Sequence, residues 1–186
     1  MDVSYLSNTF SFIVNSEDSF SSTSNTRRNG KTLSLAGCSC PGANGPLLPD
    51  LEFLKMRSIT SVVSLHESAS IDTEVVKRCG FYHIHLPVPD YRPPTLSQMK
   101  ELLMWLRETS ESTHREGREE KIVVHCNAGM GRTGTVLACL LVYYYGLSAK
   151  EAVAFVRGKR RGSVQTYKQE DFVGEFERFL LEYSEE

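Results

Sequence analysis

Apolar positions along the chain fall into two rhythms, one of period two and one of three to four residues. Phe10, Phe12 and Val14 alternate with Ser11 and Ile13, which predicts a short strand near the start. Compact β-branched runs at 59–65 (ITSVVSL), 81–86 (FYHIHL) and 121–126 (KIVVHC) predict three more. Between them, Leu47–Arg57, Asp72–Cys79 ahead of Gly80, and Leu96 to about Glu111 carry apolar residues at helical spacing. A further helix is expected from Thr135 to Tyr145, stopped by Gly146, and Ser148 with Glu151 forms the capping-box pattern that opens the next one. Thr166 with Gln169 repeats that pattern before a last helix bearing Phe172, Phe176, Phe179 and Leu180 at core spacing. Strands alternating with helices point to an α/β fold: a central, mostly parallel sheet of four or five strands flanked by helices.

The 186 residues suit one domain, 1–186. The stretch from about 15 to 31 (NSEDSFSSTSNTRRNGK for 15–31) is rich in Ser, Asn and Thr and too poor in aliphatics to offset its ordering entropy, so a loop or insertion is expected there. Net charge is −2, which supplies no global field toward nucleic acid, and the longest apolar run, Val136–Tyr145, is too short to cross a bilayer. Five cysteines without disulfide-like spacing, and an N-terminus without a signal-like pattern, lead to the expectation of a reducing compartment: the cytoplasm, with the nucleus open.

The chemistry concentrates in Val123-Val124-His125-Cys126-Asn127-Ala128-Gly129-Met130-Gly131-Arg132-Thr133-Gly134, a buried strand running through a glycine-rich loop into a helix. Successive inward N–H groups, with the positive end of the following helix, make such a loop an anion site. Gly129 and Gly131 allow positive φ and close backbone approach. Arg132 brings a planar fork matched to two phosphate oxygens, and the same field favours a nucleophilic thiolate on Cys126. A nucleotide-binding loop is excluded, since GxxxxGK[ST] is absent. The competing structural reading makes Cys126 a buried thiol at a strand end.

The segment HCNAGMGRTG resembles the HCxxGxxR[ST] signature of protein tyrosine phosphatases and dual-specificity phosphatases. The likeness runs from about Phe10 to Leu181. It takes in LAGCSCPGANGPLLPDLEFLKMRSITSVVSL, VPDYRPPT and RRGSVQTYKQE, and is greatest to the small atypical dual-specificity phosphatases. The resemblance implies Cys126 as nucleophile, Arg132 as phosphate clamp, and the backbone of Asn127, Ala128, Gly129, Met130 and Gly131 as the phosphate cradle. It also implies Asp90, in Pro87-Val-Pro-Asp-Tyr91, as general acid, and Thr133 as donor to the Cys126 sulfur. His125 orients the loop and is not the base.

Gln169 is implied as a water-positioning residue, a role that competes with its place in the Thr166 capping box; Gln165 is the alternative. Asp72 and Asp50 fit a helix N-cap and a helix first turn better than they fit acid catalysis. Arg157, Lys159, Arg160 and Arg161 form a basic run that could edge the cleft. His83 and His85 lack companions for a metal site, and the implied chemistry needs neither metal nor cofactor. The expected activity is hydrolysis of phosphoprotein monoesters through a phosphocysteine, by a monomer whose partners are phosphorylated proteins. Phosphoinositide phosphatase, RNA 5′-phosphatase and a non-catalytic phosphate-binding module are the alternatives. Asn127 and Met130 stand where phosphoinositide phosphatases often carry lysines, which disfavours the first of these.

Overall fold

The computed structural model describes residues 5–15, 33–68 and 71–183. Most of the serine-rich stretch expected to form a loop lies outside the described residues. Five strands, β1 (Ser11–Val14), β2 (Ser34–Cys38), β3 (Ser61–Ser64), β4 (Tyr82–His85) and β5 (Lys121–His125), form one sheet in the order β1-β2-β5-β3-β4. β1 runs antiparallel to β2, and every other pairing is parallel. The expected mostly parallel α/β sheet is therefore present.

β2 carries no sequence signal comparable to its neighbours. Its residues, Ser-Leu-Ala-Gly-Cys, include no β-branched side chain, yet all five are buried. Its place between β1 and β5 makes it a buried strand, and at Gly37 a Cβ would stand 3.0 Å from Leu137 and 3.1 Å from Arg160 and Thr133.

Six helices cover the faces: α1 (Leu47–Met56), α2 (Thr73–Arg78), α3 (Leu96–Arg115), α4 (Gly131–Tyr145), α5 (Ala149–Lys159) and α6 (Tyr167–Tyr183). Strand residues alternate between two cores as the period of two demands. Ala36, Val62 and Val123 meet Leu51, Leu54 and Val76 of α1 and α2 on one face. Leu35, Val63, Ile122 and Val124 meet α3, α4, α5 and α6 on the other. Each fully buried valine or leucine contributes roughly 1.5–3 kcal/mol.

Local chemistry sets the ends. Asp72 accepts from the backbone N–H groups of Glu74 (2.9 Å) and Val75 (3.2 Å), the cap read for α2. Ser148 and Glu151 close a capping box on α5, and Gly146 ends α4 in the left-handed region at φ 64°. Asp50 is buried in the first turn of α1, where Oδ2 accepts from Gly42 N–H at 2.9 Å. α3 runs four residues beyond Glu111, as Thr109 and Thr113 return their hydroxyls to the carbonyls of Trp105, Leu106 and Thr109. Trp105 and Tyr143–Tyr145 are partly buried and pack against the larger core.

A polar line crosses the sheet where its strands end. Ser64 Oγ lies 2.6 Å from His125 Nε2 and 2.8 Å from His83 Nε2, and His125 Nδ1 lies 3.3 Å from the Cys126 carbonyl oxygen. A serine has one proton to give. With His125 donating from Nδ1 to that carbonyl, its Nε2 accepts from Ser64, so His83 must donate from Nε2 and keep Nδ1 bare. His83 Nδ1 is indeed buried without a partner.

Both imidazoles are held neutral. Burial, helped by His83, His66 and His85 and opposed by the Cys126 bond, pushes His125 from 6.5 down to about 3. Burial, His85 and Lys77 push His83 down to about 4. Below about pH 6.5 the unfolded chain therefore binds protons that the folded chain refuses. This contribution to stability is complete above that pH and declines as pH falls toward 4 and then 3. Urea unfolding measured from neutral pH downward should show the effect, and His83→Gln should flatten the pH slope by at most about 1.4 kcal/mol per pH unit. An unchanged slope would exclude a neutral buried His83.

Candidate active site

The site forms at the carboxyl end of β5, the central strand, where the chain has inserted β5 between β2 and β3. Crevices at the carboxyl ends of parallel strands are where open α/β sheets bind ligands. Cys126 follows the last residue of β5 and is 3% exposed. Asn127 and Ala128 are exposed, Gly129 is buried, and Met130 is half-buried. The helix beyond begins four residues earlier than the sequence suggested, so Gly131, Arg132 and Thr133 belong to the first turn of α4. The positive end of the helix thus adjoins the loop itself.

Five carbonyls of the segment 126–131 have a hydrogen-bond partner in the surrounding protein. Cys126 O is met by His125 Nδ1, Asn127 O accepts from Cys40 N–H at 2.9 Å, and Gly129 O accepts from Arg160 Nη2 at 2.6 Å. Met130 O and Gly131 O accept from Gly134 N–H (2.8 Å) and the Thr135 hydroxyl (2.9 Å). Gly129 has φ +75°, and a Cβ there would sit 2.2 Å from the Cys38 carbonyl oxygen, so only glycine fits. Gly131 differs from the expectation: it is helical, and what it supplies is space. A Cβ would meet Gln165 Oε1 at 2.6 Å and Gln169 Nε2 at 2.9 Å.

Arg132 is 3% exposed and reaches across to the loop that carries Asp90. Nη1 donates to Val88 O at 2.9 Å, and Nη2 lies 3.0 Å from Asp90 Oδ1. The same carboxylate oxygen accepts from Tyr91 N–H at 3.0 Å, with Tyr91 at φ +57°. Further ties hold this segment: Gln98 Nε2 to Pro87 O (2.7 Å), the Thr166 hydroxyl to Tyr91 O (3.2 Å) and Gln169 Nε2 to Arg92 O (3.3 Å). Asp90 is over half exposed, so its carboxyl stands at the mouth of the site while Arg132 lies beneath.

Gln169 is buried and makes the capping bonds: Oε1 accepts from Thr166 N–H, and its own N–H donates to Thr166 Oγ1, both at 3.2 Å. Its remaining amide nitrogen donates to Arg92 O in the loop that carries Asp90, and Gln165, which is exposed, joins it against Gly131. Thr133 is fully buried, and its hydroxyl has no hydrogen-bond partner; the bond to the Cys126 sulfur that the resemblance implied is not made here. The basic run also departs from expectation. Arg157 bonds Ser163 O, Val164 O and Glu170, and Arg160 turns inward, which leaves Lys159 and Arg161 exposed.

Arg160 is the site residue that sequence reasoning missed. A run of cations reads as a solvated edge, and no sequence signal distinguishes the one that the backbone bend after α5 (φ −134°, ψ 84° at Arg160) turns toward the loop. Among the described residues no helix is long and apolar enough to cross a membrane.

Residues 31–173 match the family described as PTP-SAK, Swiss Army Knife protein, DSP-PTPase phosphatase domain. The chain is 36% identical over 108 residues to protein tyrosine phosphatase domain-containing protein 1 of Danio rerio, covering 58% of this chain and 14% of that protein. It is 33% identical over 114 residues to dual specificity protein phosphatase CDC14C of Symphalangus syndactylus, covering 61% of this chain and 22% of that one. It therefore spans under a quarter of the length of these two relatives. Among solved structures, Tk-PTP in the active form shares 32% identity over 78% of this chain and 91% of its own, with a TM-score of 0.64. The matched span includes the Cys126 loop, Asp90 and Gln169, and on this ground the chain belongs to the DSP-PTPase phosphatase domain family of the protein tyrosine phosphatase superfamily.

Proposed function

We propose that the protein is a phosphoprotein phosphatase of tyrosine or dual specificity that works through a phosphocysteine on Cys126. The observation that carries this reading is the meeting of three groups at one end of the sheet. Cys126 lies at the entrance to α4, Arg132 lies in that helix's first turn, and Asp90 Oδ1 stands 3.0 Å from the Arg132 guanidinium. In the first step the Cys126 sulfur attacks phosphorus, the phosphorus–oxygen bond breaks, and the departing oxygen takes its proton from Asp90. In the second, water attacks the phosphocysteine as Asp90 takes its proton, releasing inorganic phosphate and the thiolate. Arg132 and the loop N–H groups carry the charge of the phosphoryl oxygens in both steps.

A phosphorylated protein suits the rim better than a polyanionic headgroup. Asn127 and Ala128 are the exposed, neutral residues of the loop, and Arg157 and Arg160 are spent on internal bonds. Thr133, with its buried unpartnered hydroxyl, is the residue in this first turn that can assist sulfur departure. Gln169, whose Oε1 serves the cap, has its Nε2 left to take part in placing water, and it acts as much by holding the acid-bearing loop.

Cys126→Ser should abolish turnover of an aryl phosphate, assayed without added metal, while inorganic phosphate still binds; undiminished turnover would exclude the nucleophile. Asp90→Ala should slow phosphotyrosine peptide hydrolysis about 10²- to 10⁴-fold, the range of general-acid catalysis, and slow an ester with a well-stabilised leaving group far less. Equal slowing of both substrates would show that another group protonates the leaving oxygen.

A further inference from the structure

We propose that Arg160 is a positioning residue for the catalytic loop, setting the peptide between Gly129 and Met130 in the orientation that phosphate binding requires. The inference rests on the phosphate-binding reading above and adds to it a residue outside the signature segment. Arg160 is the C-cap of α5, distant from Cys126 in sequence, and its guanidinium is half-buried beneath the loop. Nη2 donates to Gly129 O at 2.6 Å. Nη1 shares its protons among Gly37 O of β2 (2.8 Å), Ser11 Oγ of β1 (2.6 Å) and Thr9 O just before it (2.8 Å). One side chain therefore joins the loop, two strands and a helix end.

The physical argument turns on the planarity of the peptide. C=O and N–H of one trans peptide point opposite ways, so a partner that captures the Gly129 carbonyl also aims the Met130 N–H to the other side. Elsewhere in the loop Cys126 O is met by a histidine ring, and Asn127 O and Met130 O by backbone N–H groups. At Gly129 the partner carries a full positive charge, and such bonds are about twice as strong as neutral ones. Glycine is also the residue whose φ is least restrained by itself, so the peptide following it gains most from an external hold.

The surroundings are shaped to the guanidinium. A Cβ on Gly37 would stand 3.1 Å from Arg160 Nε, 3.1 Å from Thr133 Cγ2 and 3.0 Å from Leu137 Cδ1, so β2 gives up a side chain where the arginine crosses it. A lysine brings the same charge on a single nitrogen and cannot span Gly129, Gly37 and Ser11 together.

The test compares wild type with Arg160→Met, Arg160→Lys and Ser11→Ala. Its readouts are protection of Cys126 from alkylation by inorganic phosphate, phosphate inhibition of aryl phosphate turnover, and the thermal midpoint. Arg160→Met should weaken phosphate binding by about ten- to a hundredfold, the size of one hydrogen bond to a charged group, with kcat/KM falling at least as much. Arg160→Lys should lose part of this at a thermal midpoint close to wild type. Ser11→Ala, which leaves the Gly129 contact in place and Nη1 still bonded to Gly37 O and Thr9 O, should alter phosphate binding by less than about threefold, well below the loss of the Gly129 bond.

Wild-type phosphate affinity in both arginine variants, whatever their thermal midpoints, would overturn the proposal. Should Arg160→Met fail to fold, Arg160→Lys decides alone: weakened phosphate protection in a stable protein supports the role, and unchanged protection refutes it. A wild-type protein that phosphate does not protect would instead remove the phosphate-binding reading, and this inference with it.

Discussion

A loop that turns successive N–H groups toward an anion must turn its carbonyls toward protein, and each of those carbonyls needs a donor. Much of this molecule's architecture answers that requirement around residues 126–131. His125 supplies a ring nitrogen, the β2–α1 connection supplies Cys40 N–H, α5 supplies Arg160, and the first turn of α4 supplies Gly134 and Thr135. The donors come from separate parts of the chain, so the loop's shape is a property of the whole domain. The buried line from His125 through Ser64 to His83 belongs to the same system, since it selects the tautomer that leaves Nδ1 free to donate.

The segment 87–92 that carries Asp90 is held differently, by the Val88 N–H to Leu65 O and by four of its carbonyls. Gln98, Arg132, Thr166 and Gln169 each take one, from Pro87, Val88, Tyr91 and Arg92 in turn. Asp90 extends from the middle of this series toward Arg132. Arg132 and Asp90 are therefore mechanically linked, and a shift in one is transmitted to the other through a buried guanidinium. Tyr91, which follows Asp90, accepts a left-handed backbone that its side chain disfavours, and the bonds on both sides of it offset that cost.

How much of this was legible depends on how local each cause is. The β5 run, the loop after it and the stop at Gly146 are written in neighbouring residues, as is the Ser148–Glu151 cap, and these were readable directly. The likeness of HCNAGMGRTG to a known signature added expected roles, and the structure places Asp90 Oδ1 3.0 Å from Arg132 Nη2. β2 was not readable, because its strand state comes from partners on both sides and not from its own small residues. The early start of α4 was hidden by two glycines that ordinarily argue against helix. Arg160 was read as surface charge because its direction is set by a bend after α5, with acceptors up to 151 residues away in sequence. Gln169 carried two readings, and the structure has it making the cap bonds with a spare amide proton toward Arg92.

α4 carries Arg132 and Thr133 in its opening turn, and every residue from Gly131 through Val142 is buried. In many enzymes the working residues sit on segments that open and close well below the melting temperature. Here the turn that carries these two residues is the first turn of the helix around which the larger core is packed, so it has no separate melting unit to belong to. Loss of the candidate anion site and loss of the fold should therefore be one cooperative event, with no folded form between them that lacks the site.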